Sequence, residues 1–304
     1  MKVFLLLAIF LTFSNCYDII TPIKTLKINK TKAKLGMELF FDSSFSKDGK
    51  ISCASCHQPS YGWADPRKVS IGIYGRKGVI QSPTVLNAVY NFKQMWNGRF
   101  NDLYEQINGP THDSSEMGST NKHIEVIINK EPYKSQFQKI YKKDYNTYDM
   151  FKDAIVEFER FLTTPDSKFD LYLKGKTRLS EDEKRGYEVF VKTGCIVCHN
   201  GTNIGGNNFS KIGVVNQKEI AFTRDRFSVT HQNIDKHVYK VPSLRNIALT
   251  SPYFHTGDIK DLKNTIKNMG YMNLGADLTK EQIELIYKFL LTLTGKSPDL
   301  GVLR

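Results

Sequence analysis

Two short runs constrain this chain more than anything else in it: Cys53-Ala54-Ser55-Cys56-His57 and Cys195-Ile196-Val197-Cys198-His199. Each is C-x-x-C-H, the spacing at which two sulfurs bond covalently to the vinyl groups of one haem while the next residue offers an imidazole to the iron. The two copies use four of only five cysteines. Zinc would need further Cys or His at ligand spacing around each run, and no such set is present. A thioredoxin-like pair needs no following histidine. Two disulfides would leave that histidine unexplained as well. Two c-type haems are therefore expected, held by Cys53 and Cys56 and by Cys195 and Cys198, with His57 and His199 as iron ligands.

Length adds that two domains suit 304 residues better than one. The formal charge of +12 suits haem propionates and an acidic electron-transfer partner. It also raises nucleic-acid binding, but the lysines are dispersed and no nucleic-acid motif accompanies them, so no nucleic-acid partner is expected.

Lys2 and the apolar run at residues 3–13 form the n- and h-regions of an export signal, too short for a stable membrane anchor. Covalent haem attachment fits assembly outside the cytoplasm, and a periplasmic location is expected. Residues 1–16 are read as the signal, with cleavage after Ser14-Asn15-Cys16. The alternative is a lipid-bearing Cys16, against which Phe13 and Asn15 argue.

Helical signals are strong in both halves. A short helix is expected at residues 33–41. A longer one starts at Thr147, with Phe151, Ile155, Phe158 and Leu162 at helical spacing. Pro165 follows, and the boundary is placed there: 17–165 and 166–304. Ser180-Glu-Asp-Glu183 is a capping box opening the helix that leads into the second C-x-x-C-H run, and Thr279-Lys-Glu-Gln282 opens the last helix. The glycine-punctuated stretch Gly72-Ile-Tyr-Gly75-Arg-Lys-Gly78 lacks the strand-to-helix setting of a phosphate loop and reads as a mobile loop beside the first haem. Residues 201–208 are expected to wrap the edge of the second.

Further blocks occur in a telling order: Ser82-Pro-Thr-Val-Leu-Asn-Ala-Val-Tyr-Asn91, Met95-Trp96-Asn97-Gly98-Arg99, Glu105-Gln106-Ile-Asn-Gly109-Pro110 and Glu116-Met117-Gly118. Then come residues 201–206, Val241-Pro-Ser-Leu-Arg-Asn-Ile-Ala-Leu-Thr250, Pro252-Tyr-Phe-His255 and Asn268-Met269-Gly270. With both haem motifs, this pattern closely resembles the bacterial dihaem cytochrome c peroxidases of the wider peroxidase/MauG group, from about Leu35 to Gly295.

The resemblance implies a mostly α fold of two cytochrome c-like domains, each with one covalent haem. It implies hydrogen peroxide as substrate, a small periplasmic cytochrome or similar donor of electrons, and a homodimer. The first haem would be the peroxide site and the second would receive electrons. Glu116 matches the acid/base position and Gln106 the amide that orients peroxide; a carboxylate at that place can carry a proton between the two oxygens before their bond breaks. Trp96 matches a tryptophan between the haems, and Met269 the sixth ligand of the second iron, where a thioether raises the potential. His255 matches a histidine near the haem environment. Read without the resemblance, Glu116 is a loop acid, Gln106 a turn residue, Trp96 core, and Met269 the end of a Leu262–Ile266–Met269 core stripe. A calcium ion is implied at Gln81, Thr250 and Pro252, with Gln81 standing where asparagine is usual.

One departure is clear. Where many members carry a histidine that closes the peroxide iron, this chain has Ile73, which cannot ligate. Tyr74 and His112 are the neighbouring substitutes. The simplest expectation is an open first haem in the diferric state. Three further readings remain: a MauG-like oxidase of a partner protein, which would use a tyrosine in place of Met269 (Tyr271 is near), a dihaem electron-transfer cytochrome without catalysis, and a haem-binding sensor or structural module, against which the lack of a visible output domain argues.

Overall fold

The computed structural model describes residues 19–216 and 223–303; the expected export signal and Cys16 lie outside them. Eight helices longer than a single turn or so carry the fold: α1 (Lys30–Phe41), α2 (Asn121–Ile128), α3 (Tyr133–Tyr141), α4 (Tyr148–Phe161), α5 (Lys168–Leu173), α6 (Glu181–Lys192), α7 (Leu262–Met269) and α8 (Lys280–Leu291). The only sheet among the described residues is a two-stranded antiparallel pair, β1 (Phe209–Lys211) and β2 (Val238–Lys240), with Phe209 opposite Lys240. The expected helix starts are where the side chains cap them: Ser180 and Thr279 each close a capping box, and Thr147 precedes α4.

The molecule is built twice from one plan. In the first half α1 crosses α4; in the second α6 crosses α8. At each crossing a glycine lets the backbones touch. A Cβ on Gly36 would lie 1.9 Å from the Ala154 carbonyl oxygen, and one on Gly186 would lie 2.0 Å from that of Leu285. Four residues on from each glycine, Phe40 and Phe190 meet Phe158 and Phe289, with ring centroids 5.3 and 5.2 Å apart. Burying such a ring contributes about 1.5–3 kcal/mol, so these contacts anchor the two apolar cores.

The repeat extends to the loops. Asn87 and Asn246 both sit at φ near +60°, at 61° and 60°. Both donate a side-chain N–H to Thr164 Oγ1, at 2.8 and 2.9 Å, where the halves meet. The chain ends cross over as well. Ile20 packs in the core of the second half and Leu303 in that of the first. The buried Arg245–Asp170 pair (2.8 Å) pins the early segment, since Arg245 Nη2 also donates to the Thr21 carbonyl and Asp170 Oδ1 accepts from Ile23 N.

Candidate haem-binding and peroxide site

Both C-x-x-C-H runs wind as single tight turns. His57 N donates to the Cys53 carbonyl at 2.9 Å and His199 N to that of Cys195 at 3.0 Å, a geometry that gathers the two sulfurs and the imidazole on one side. The four cysteines are unpaired, so the disulfide alternative fails. Burial, joined by the charge of Glu159, pushes the Cys53 thiol far up.

Each imidazole is enclosed. Burial lowers the His57 pKa and takes His199 down to about 4, against the pull of the Trp63 and Pro83 carbonyls on one and the Ile204 and Pro242 carbonyls on the other. Both rings are thus neutral and able to ligate. Nδ1 of each is sealed in protein, which leaves the other ring nitrogen to the cavity that both rings line. Gly205 makes this closure feasible: at φ +120° its Cβ would lie 2.2 Å from the Pro242 carbonyl oxygen and 3.4 Å from His199 Nδ1.

One continuous cavity runs between the halves, lined by Cys56, His57, Cys195, Cys198 and His199. Gln106, Glu116, Trp96, Met269, Gln81, Thr250 and Pro252 line it too. Residues scattered over more than 200 positions are therefore brought to one space. Two flat, covalently tethered macrocycles fit this donor set: paired thiols beside a neutral imidazole, twice, on mainly apolar walls.

On the first motif's side, Gln106 ends the helical turn Leu103–Gln106, capped by Asp102, whose side chain accepts from Glu105 N at 2.8 Å. Glu116 belongs to a turn in which its own N–H and that of Gly118 both donate to the Asp113 carbonyl. Its carbonyl accepts from Ile73 N at 2.9 Å. The Glu116 carboxyl is largely enclosed but faces the cavity. Burial and then the Asp113 charge raise its pKa, while Arg99 and Arg224 pull it down. Arg224 in turn pairs with Asp113 at 3.5 Å.

Ile73 is 1% exposed and does not line the cavity; its Cδ1 lies where a Cβ on Gly118 would be, only 2.3 Å away. The glycine-rich loop is threaded tightly there, since a Cβ on Gly72 would fall 2.0 Å from the Ser115 carbonyl oxygen. Ile73 thus supports the Glu116 turn from below. Tyr74 is 61% exposed, and His112 is exposed with Nε2 at 2.8 Å from Asn121 Oδ1. Neither lines the cavity.

Trp96 and His255 occupy matching places in two loops of the same shape, closed by the bridges Gln94–Phe100 and Tyr253–Ile259. Their ring centroids are 6.1 Å apart, and Tyr239 stacks on His255 at 4.2 Å. Trp96 Nε1 donates to the Gln81 carbonyl at 2.8 Å, and Gln81 N donates to that of His255 at 2.8 Å. His255 is fully buried behind this wall and does not line the cavity. The Gln81 side chain turns its nitrogen to the Ser82 carbonyl at 2.8 Å, which leaves its oxygen as the end suited to a hard cation. Met269 ends α7 and faces the cavity, whereas Tyr271, two residues on in the π-helical turn Gly270–Leu274, is 51% exposed and outside it.

Sequence reasoning passed over four lining residues: Arg99, Glu159, Tyr239 and Lys240. Glu159 did carry a signal. It stands four residues after Ile155 on the apolar stripe of α4, where an acid is out of place, and burial alone takes its pKa to about 8. Lys240 had none, because only β2 and its pairing turn that side chain inward.

Among the described residues no helix is long and apolar enough to cross a membrane. Residues 30–178 match the di-haem cytochrome c peroxidase family model and residues 183–294 the cytochrome c model. The chain is 43% identical to cytochrome c551 peroxidase of Nitrosomonas europaea over 92% of its own length and 85% of that protein. It is 39% identical to cytochrome c551 peroxidase of Pseudomonas aeruginosa, over 92% and 83%. Among solved structures, a MauG-like protein associated with microbial copper homeostasis superposes with a TM-score of 0.78 at 25% identity, covering 91% of this chain and 93% of that one. With two haem motifs on one cavity and relatives this near over most of their length, the chain belongs to the di-haem cytochrome c peroxidase family.

Proposed function

We propose that this protein reduces hydrogen peroxide to two waters with two electrons and two protons, the electrons coming from a small cytochrome c or similar donor in the periplasm. The chain carries two c-type haems, which supply the iron that exchanges electrons with peroxide and donor. The reading rests on one observation: Gln106 and Glu116 share the cavity with His57, while Met269 shares it with His199. The halves then have different tasks. His57 would hold the first iron, with Gln106 and Glu116 for its open face; His199 and Met269 would hold the second, which suits electron entry.

Glu116, ionised, takes a proton from the near oxygen of peroxide and returns it to the far oxygen, so that water leaves and not hydroxide. Gln106 donates an amide hydrogen to orient the substrate. Arg99 and Arg224 oppose the rise in pKa that burial and the Asp113 charge impose on Glu116. Trp96 carries electrons between the two sites; its hydrogen bond to the Gln81 carbonyl holds the ring in place. A calcium ion held by oxygens of Gln81, Thr250 and Pro252 would brace this seam. Division near residue 165, between α4 and α5, and a homodimer complete the proposal.

Met269 facing the cavity, with Tyr271 turned out to solvent, favours the peroxidase over a MauG-like oxidase. The Gln106–Glu116 pair favours it over a pure electron-transfer cytochrome. The test is an optical spectrum of the fully ferric protein before and just after stoichiometric peroxide. A high-spin band that changes at once is expected, because Ile73 offers no ligand. A low-spin spectrum unmoved by peroxide, in both the ferric and half-reduced states, refutes the peroxidase.

A further inference from the structure

Lys240 is a buried cation without a counter-charge. Its side chain lines the cavity and the residue is only 8% exposed. No carboxylate of the described residues pairs with its ammonium, although Asp170, Asp113 and ten other acids hold ion pairs elsewhere. Lys240 ends β2 opposite Phe209, and its backbone N–H donates to the Trp96 carbonyl at 2.7 Å. Two residues on, the Pro242 carbonyl faces the His199 ring. The cavity acids, Glu116 and Glu159, make no ion pair with it. A buried, unmatched ammonium is strongly disfavoured unless an anion meets it, and the burden of that burial shows in a pKa lowered to about 8.

We propose that Lys240 binds a haem propionate at the seam between the two halves, beside Trp96, and thereby raises the reduction potential of that haem. This rests on the two-haem reading. A c-type haem keeps both propionates free of the protein's covalent bonds, and each is a carboxylate of the charge Lys240 lacks. A fixed positive charge close to the macrocycle favours the reduced, less positive iron. The placement also couples the propionate to the electron bridge, because one residue holds the anion with its side chain and Trp96 with its backbone.

The experiment uses the purified holoprotein. Haem is counted by the pyridine haemochrome assay, and each haem is titrated spectroelectrochemically in the parent, in Lys240→Met and in Lys240→Arg. Two haems per chain are expected in all three, with one potential shifted negative in Lys240→Met and restored toward the parent in Lys240→Arg. Both potentials unmoved in Lys240→Met, with two haems present, overturn the proposal. So does an Arg variant that shifts as far as the Met variant. If Lys240→Met does not accumulate, the propionate bending band in resonance Raman spectra decides: a band moved by Lys240→Arg supports the contact and an unmoved one overturns it. A parent without haem would instead overturn the two-haem reading beneath.

Discussion

Replacing Glu116 with glutamine keeps the shape of the side chain and removes its titrating oxygen. General acid–base transfer contributes about 10²–10⁴-fold, or roughly 2.7–5.4 kcal/mol at about 1.36 kcal/mol per decade. A loss of that size in kcat/KM for peroxide is expected, since the other acid facing the cavity, Glu159, is held protonated by burial to about pH 8. The pH profile carries the sharper test. Glu116 must be ionised to accept a proton, and burial and Asp113 raise its pKa, so activity falls on the acid side at a pH above the usual carboxylate range. Asp113→Asn removes the like charge and frees Arg224 from its pair; both effects move that limb to lower pH. Arg224→Leu removes an opposing charge and moves it to higher pH. Steady-state peroxide reduction with a reduced small cytochrome, run from pH 4 to 8 on a scale set by ordinary carboxylate pKa values of about 4, measures all three. Parental kcat/KM in Glu116→Gln refutes the assignment, as does a limb that moves the same way in both charge variants.

Gly186→Ala places a methyl group 2.0 Å from the Leu285 carbonyl oxygen; the α6–α8 crossing must open, at a cost of about 1–3 kcal/mol or more, read as a lower melting temperature and unchanged if the crossing is looser than described. Asp170→Ala leaves the buried Arg245 guanidinium unmatched and is expected to cost about 3–5 kcal/mol in denaturant unfolding, whereas a cost near zero would mean that Arg245 reaches water. Glu159 has a folded-state pKa of about 8, raised from 4.5 by burial. The folded state therefore holds its proton longer than the unfolded chain, and stability is lost as pH rises from the unfolded value through the folded one. Glu159→Gln should melt higher than the parent at pH 8 by much more than at pH 5; an equal gain at both would exclude titration as the cause.

Covalent and local chemistry was legible in the amino-acid order. C-x-x-C-H declares its haem within five residues, because two sulfurs and a ligand need only one turn of chain. Thr147, Ser180 and Thr279 announced their helices because caps act over three or four residues. Resemblance then pointed to Gln106, Glu116, Trp96 and Met269, although their own residue types said little. What spacing could not show was the doubling of the plan. Gly36 and Gly186 look like ordinary helix glycines until a second helix lies on them. Nor does order disclose that Asn87 and Asn246 share Thr164, or that residues near 20 and 303 exchange halves.

The sequence by itself pointed to two haems and to the cysteines and histidines expected to grip them. Only the tertiary structure decided that Met269 and not Tyr271 faces the cavity, that Ile73 props the Glu116 turn, and that Lys240 is buried. The reason is physical. Ligation and capping are short-range and written in neighbouring residues, whereas burial, charge compensation and cavity shape arise from surfaces that come together across more than a hundred positions of chain.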